Sequence, residues 1–300
     1  MSSDAVGGDA QARGQRDAPG LPRLPEPRGR PRWRPSDPLG LTLRWLVLLA
    51  VAVGWQLATV GGRSIFFPTL TEILAQARTS WLSGPASSAF LTSAVGSDVV
   101  PSLGRLLGGW LLAVVVGVSV GTAIGLVRNL ADYLDPVIEF VRAIPPPAMI
   151  PPFLVVLGLG SDMKIALIAV GVVWPILLNT IDGVRSVDPV LVDTGRTLRT
   201  GRLRRLAFIV LPSASPRIFA GLRVSLSLSL ILMVISEMVA ATGGIGFTIV
   251  QAERSFAIRQ MWAGILLLGV LGYLLNSLLL LVERHVLAWH RGARGREESP

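Results

Sequence analysis

Lys164 is the only lysine in the chain, and it stands between Met163 and Ile165. A phosphate-binding P-loop needs Gly-Lys followed by Ser or Thr, so this sequence cannot build one. There is no cysteine, which excludes disulfides and thiolate metal sites. The two histidines, His285 and His290, both lie near the C-terminal end, and no multi-histidine metal site can be assembled from them. A membrane-embedded hydrolase usually needs paired carboxylates, a His/Ser set or a metal. The charges read as membrane charges are few: Glu139, Arg142, Lys164, Arg223 and Glu237. Glu139 and Arg142 are three apart on one helical face, which suits a structural ion pair. Glu237 lies deeper, and two readings stay open for it: a group facing a transport path, or a polar contact between helices. The densest charge is the segment DTGRTLRTGRLRRLAFIVLP, residues 193–212, in which five of twenty residues are arginine.

The elements that must hold these residues follow from composition. The 300 residues are 51% hydrophobic and 16% charged, with mean hydropathy +0.59, whereas soluble domains average about 25% charged residues. Apolar stretches at 41–60, 103–127, 134–158, 163–182, 217–241 and 262–283 are each about long enough to cross a ~30 Å hydrocarbon core as a helix. The expected fold is therefore an all-α integral membrane protein of about six transmembrane helices. Ser225-Leu-Ser227-Leu-Ser229-Leu230 alternates like a strand but sits inside a long apolar run, so it reads as helix with serines bonding back to carbonyls. Asp135-Pro136, Asp188-Pro189 and Ser215-Pro216 each place a capping residue before proline at a first helical position. They are expected to open the third span, a helix in the basic loop and the fifth span. Pro145, Pro146, Pro147, Pro151 and Pro152 break the third span. Gly117, Gly121 and Gly125, with Gly104 and Gly108 before them, let helix backbones approach closely.

The net charge of +9 does not point to nucleic acid, because the basic residues lie between apolar runs and at the termini. The loop Gly183–Arg217 carries seven arginines, while 61–102 and 242–261 carry two each. The positive-inside rule then puts this loop and both termini in the cytoplasm. Residues 1–40, with seven prolines and seven arginines, read as a disordered tail. Residues 41–60 read as an uncleaved anchor, 61–102 as an outer loop with an interfacial helix over Thr69–Thr79, 103–290 as the core and 291–300 as a basic tail.

Within the basic loop, Asp188-Pro189 starts one short helix and Arg202–Ile209 forms a second. Gly201 supplies the bend, and Leu211-Pro212 ends the second helix. Two short helices at an angle make a knob whose arginines suit anionic lipid headgroups or an acidic protein groove.

This loop resembles the signature of ABC-importer permeases, Glu-Ala-Ala, three residues, Gly, nine residues, Ile, one residue, Leu-Pro. Asp193, Thr194 and Gly195 occupy the first three positions, Arg199 stands where glycine is expected, and Ile209, Leu211 and Pro212 match in register. Asp135-Pro-Val-Ile-Glu-Phe-Val-Arg142-Ala-Ile-Pro145 with Pro151, Trp174-Pro175-Ile-Leu-Leu-Asn179-Thr180, Gly183-Val-Arg185-Ser-Val-Asp188-Pro, Ile235-Ser-Glu237-Met238 and Thr242-Gly-Gly-Ile-Gly246-Phe are similar to the sulfonate/nitrate/taurine branch. The likeness covers about residues 64–290. It implies a permease core of five helices plus an N-terminal one, in the bacterial inner membrane. It also implies a homodimer, two ATPase subunits that hold ATP and Mg, and an external substrate-binding protein, with no cofactor in this chain. Asp193, Thr194, Gly195, Leu198, Arg199, Gly201, Ile209, Leu211 and Pro212 would form the ATPase-docking coupling loop. Arg142, Pro145, Pro151 and Glu237 are candidates for the path or its gate. The solute would be a small anion such as a sulfonate, taurine or nitrate, with a thiamine-precursor pyrimidine or other heterocycle as the alternative. An ion-coupled secondary transporter would need ionisable groups near the midplane and internal repeats, and no clear repeat is found.

Overall fold

The computed structural model describes residues 38–62, 64–239 and 242–287. The two tails expected at the ends, and His290, lie outside these apart from Pro38 to Gly40. The chain divides after Val51. The first unit, from residue 38, is the start of helix α1, Pro38–Val60, which runs on into the second.

The second unit continues with α2 (Leu70–Trp81), α3 (Val100–Leu126), α4 (Arg128–Arg142), α5 (Ile150–Leu157), α6 (Ser161–Arg185), α7 (Pro189–Thr197), α8 (Arg202–Arg205), α9 (Leu211–Val239), α10 (Ile245–Arg254) and α11 (Ile258–Val286). No strand occurs among the described residues. Four helical stretches are long and apolar enough to cross a membrane: 95–126, 161–185, 202–239 and 258–286. The pair 132–142 and 146–157, bent by 80°, makes a fifth. The sixth expected span is the shorter apolar helix Trp45–Val60. α2 forms where helical spacing called for it. Thr69 accepts from the Glu72 N–H and Glu72 reaches back to the Thr69 N–H, a reciprocal cap.

The core is α3 against α6 against α9, and small residues set its spacing. A β-carbon on Gly109 would fall 2.7 Å from Ile168 Cβ, one on Gly117 2.9 Å from Ile176 Cγ2, and one on Gly125 2.8 Å from Val184 Cβ. The contacts rise together along both chains, so α3 and α6 run parallel. Gly104 has open space around it, so the ridge is carried by Gly109 and not by the expected Gly104. Gly183 of α6 meets Ala214 of α9, while Gly221 of α9 meets the Pro175 carbonyl and Asn179 of α6, so α9 runs antiparallel to α6. Without a hydrophobic driving force between helices in lipid, such close backbone approach supplies the packing energy. Ser225 and Ser229 each donate to the carbonyl three residues back, at 2.9 and 2.7 Å. The segment is helical despite its alternation.

Three proline expectations are corrected. Pro136 does not open a helix but lies inside α4, and Pro216 lies inside α9. Leu211-Pro212 does not end the second loop helix either: the helix is continuous over 202–239. The physical reason is visible around α9. A helix-interior proline frees the carbonyl four residues earlier. For Pro216 that carbonyl belongs to Pro212, and it accepts from Ser215 Oγ at 2.6 Å. Ahead of Pro212, residues 206–210 form a π turn in which the Leu211 N–H reaches back to the Leu206 carbonyl. The widened turn makes room for the ring. The same device precedes Pro101, where the π turn 95–99 closes through Val100 N–H on the Val95 carbonyl. The proline cluster after Arg142 has no such relief, and there the chain bends.

Candidate functional site

The basic loop joins α6 to α9 at the end of the bundle where α3 also stops. Asp188 caps α7 by accepting from the Val190 N–H at 2.8 Å. Thr194 donates to the Val190 carbonyl and Asp193 pairs with Arg196 at 2.8 Å, both on exposed faces. Gly195 is the buried residue of α7. A β-carbon there would sit 2.8 Å from Ile209 Cδ1, so Gly195 and Ile209 seat one short helix on the other. This contact explains why the two ends of the motif must keep their separation.

The end of α7 accounts for Arg199. The Thr200 N–H bonds the Gly195 carbonyl at 3.0 Å and the Arg199 N–H bonds the Arg196 carbonyl at 2.9 Å, the paired closure of a Schellman motif. That motif needs a left-handed residue between, and Arg199 has φ 52°. Glycine takes this conformation at no steric cost, which is the physical basis of the glycine expected there. The bend does not come from Gly201: its φ of −62° and ψ of 154° suit any residue, and its surroundings are open. Left-handed backbone costs a side-chain-bearing residue about 1–2 kcal/mol. Arg199→Gly is accordingly expected to stabilise the loop by about 1 kcal/mol, read as slower amide exchange at residues 195–201. Unchanged or faster exchange would sink this account.

Leu198 is 71% exposed, and Leu203 and Phe208 are 82% and 78% exposed. The knob thus presents uncovered apolar side chains between its arginines. Ile209, Leu211 and Pro212 are half-buried at its base.

The path candidates do not converge. Arg142, Pro145 and Pro151 are exposed along the bent segment, and Arg142 stands 3.9 Å from Glu139. Such an exposed pair contributes little. Glu237 lies elsewhere and has no exposed atom. Its Oε1 accepts from Arg105 Nη1 at 2.7 Å and lies 2.8 Å from Ser102 Oγ. Its Oε2 accepts from the Gly246 N–H at 3.0 Å. Ser102 Oγ in turn accepts from the Ile245 N–H at 3.0 Å, and Arg105 donates to the Gly243 carbonyl at 3.2 Å. Gly244, at φ 117°, leaves no room for a side chain: a β-carbon would lie 2.5 Å from the carboxylate. The network ties α3, α9 and the turn 243–246 together. Lys164, 3% exposed, is within electrostatic range of both Arg105 and Glu237. Arg105 and Ser102 were not singled out from sequence. Arg105 is marked only as a charge inside the apolar stretch 103–127, and the spacing of three puts Ser102 on the same face of α3. Arg223 pairs with Glu283 of α11.

Residues 113–288 match the family model described as the binding-protein-dependent transport system inner membrane component. The chain belongs to this family. It is a transport subunit and a multi-pass inner membrane protein. It is 32% identical over 260 residues to the taurine transport system permease protein TauC of Escherichia coli (strain K12), covering 86% of this chain and 93% of that one. It is 30% identical over 263 residues to the bicarbonate transport system permease protein CmpB of Synechococcus elongatus (strain ATCC 33912 / PCC 7942 / FACHB-805), covering 87% and 94%. The fold is similar to that of a chain in inward-facing structures of the MetNI methionine ABC transporter, with TM-score 0.56 at 20% identity over 63% of this chain and 94% of that one.

Proposed function

We propose that the chain forms half of the translocation path of an ATP-driven importer, a second copy supplying the other half. The loop between α6 and α9 is the knob that seats on an ATPase subunit, and that subunit holds ATP and Mg. This chain then performs no covalent chemistry: with Lys164 as its only lysine it has no P-loop. Both termini and the loop face the cytoplasm, as the arginine distribution favours. A substrate-binding protein delivers the solute on the opposite face. The observation that carries the reading is the knob itself. Its two helices are locked by the Gly195–Ile209 contact and the closure around Arg199, while Leu198 points outward uncovered.

The solute is a small oxoanion. Taurine carries a sulfonate and bicarbonate a carboxylate-like group, and relatives bearing both names align over most of this chain. Co-purification tests the arrangement. The full chain expressed with its chromosomal neighbours should bring down a P-loop ATPase, and uptake of the oxoanion should collapse when that partner's ATP site is inactivated. Uptake persisting without any ATPase would instead mark an ion-coupled carrier and sink the proposal.

A further inference from the structure

A hollow of about 570 Å³ lies under the knob, and four arginines line it: Arg185, Arg196, Arg202 and Arg205. No carboxylate residue shares the lining. Arg196 is partly neutralised by Asp193, but Arg185, Arg202 and Arg205 pair with no carboxylate among the described residues. Arg205 is also half-buried. Guanidinium groups gathered round one cavity repel one another, most of all at half-buried Arg205, where water screens least. An anion held between them removes that cost. Guanidinium is moreover the side chain best matched to a phosphate group.

The rest of the lining says what the anion is attached to. Leu126 is the last residue of α3, and Arg185 the last of α6. The hollow therefore opens where two membrane-crossing helices end, at the depth of lipid headgroups. Val210 and Leu126 add an apolar wall, a surface suited to a hydrocarbon chain that runs toward the bilayer. We infer that this pocket holds the phosphate headgroup of an anionic membrane phospholipid, which thereby braces the underside of the knob. Basic pockets between transmembrane helices on the cytoplasmic side are suited to such headgroups. The inference rests on the proposed cytoplasmic orientation of the loop, but not on the identity of the solute.

The test compares the full chain, purified with its ATPase subunits and delipidated in detergent, with two charge-matched variants. Phosphatidylglycerol is then added and its retention measured by native mass spectrometry. Arg202→Gln/Arg205→Gln removes two pocket arginines, and Arg204→Gln/Arg217→Gln removes two loop arginines outside it. The pocket variant should retain phosphatidylglycerol about 30-fold less well, the ~2 kcal/mol expected of two arginines at about 1 kcal/mol each. The other variant should retain it like wild type. Equal loss from both variants would mean surface attraction and overturn the site. Displacement of the lipid by millimolar inorganic phosphate would also overturn it, because a free anion would then be the better ligand. If the pocket variant lost ATPase co-purification while keeping the lipid, the arginines would belong to the protein contact and the proposal would fail. That last outcome leaves the docking role of the knob standing. Loss of lipid with the ATPase still bound supports the pocket and leaves docking untouched. A thermal melt of each variant, unchanged from wild type, keeps these readings separate from misfolding.

Discussion

Glu237→Gln is expected to lower the stability of the purified protein by about 3–5 kcal/mol, the cost of breaking a buried ion pair by removing one partner. Every contact the Glu237 carboxylate makes is as an acceptor: from Arg105 Nη1, from Ser102 Oγ and from the Gly246 N–H. An ionised carboxylate is acceptor-only, whereas the amide of glutamine presents two donors. Whichever way that amide turns, an NH2 group faces a donor of Arg105 or of Gly246. The Arg105 charge loses its counter-ion, and nearly buried Lys164, of the same sign, is within electrostatic range of it. The turn 243–246 is loosened as well, because its Gly246 N–H bonds the Glu237 carboxylate and the three atoms nearest a β-carbon on Gly244 all belong to that carboxylate. The measurement is thermal unfolding in detergent. A second variant guards against a trivial result: Arg105→Met/Glu237→Met removes both charges and should melt closer to wild type than Glu237→Gln alone, since a buried pair replaced by apolar groups is often neutral. A Glu237→Gln protein that melts with wild type would overturn the structural role. It would return Glu237 to consideration as a group of the path.

This network also shows where sequence reading stopped. Glu237 was visible as a deep charge, but its partners Ser102 and Arg105 lie 135 and 132 residues away in the chain, and nothing local links them. Features set by one helix were legible: the apolar spans, the Gly117-Gly121-Gly125 ridge, the serines of α9 turned back on their own carbonyls, and the break after Arg142. Each follows from periodicity or from backbone chemistry within a few residues. The prolines at 136, 212 and 216 were misread for the same reason. The rule that proline stops a helix is local, yet here the freed carbonyl of Pro212 is served by Ser215, and a π turn ahead of Pro212 absorbs the ring. Serine directly before an interior proline is the one signal that could have warned of it. Arg199 is the converse case. The motif marked the position as one for glycine, but only φ 52° says why, and it removes the bend from Gly201.

Leu198→Glu is expected to leave the chain folded in the membrane while abolishing ATP-driven uptake. Leu198 closes α7 through its backbone, and its side chain is 71% exposed. Substitutions at such positions usually change stability by no more than about 0.5 kcal/mol. The effect must therefore come from what covers the residue in the assembled transporter. Burying a leucine side chain contributes about 1.5–3 kcal/mol, and burying an unpaired carboxylate in its place costs several kcal/mol more. Together these predict a loss of ATPase binding well beyond tenfold. Co-purification and uptake should fall together while the thermal melt stays at the wild-type value. Gly201→Glu extends the test, because the backbone there tolerates any residue and a β-carbon meets nothing; a defect at that position also reports on a partner. Arg199→Gly gives the control of opposite sign, since it firms the same turn without adding bulk or negative charge. Uptake at the wild-type rate in Leu198→Glu would mean that the knob does not carry force from the ATPase, whatever else the arginines around it bind.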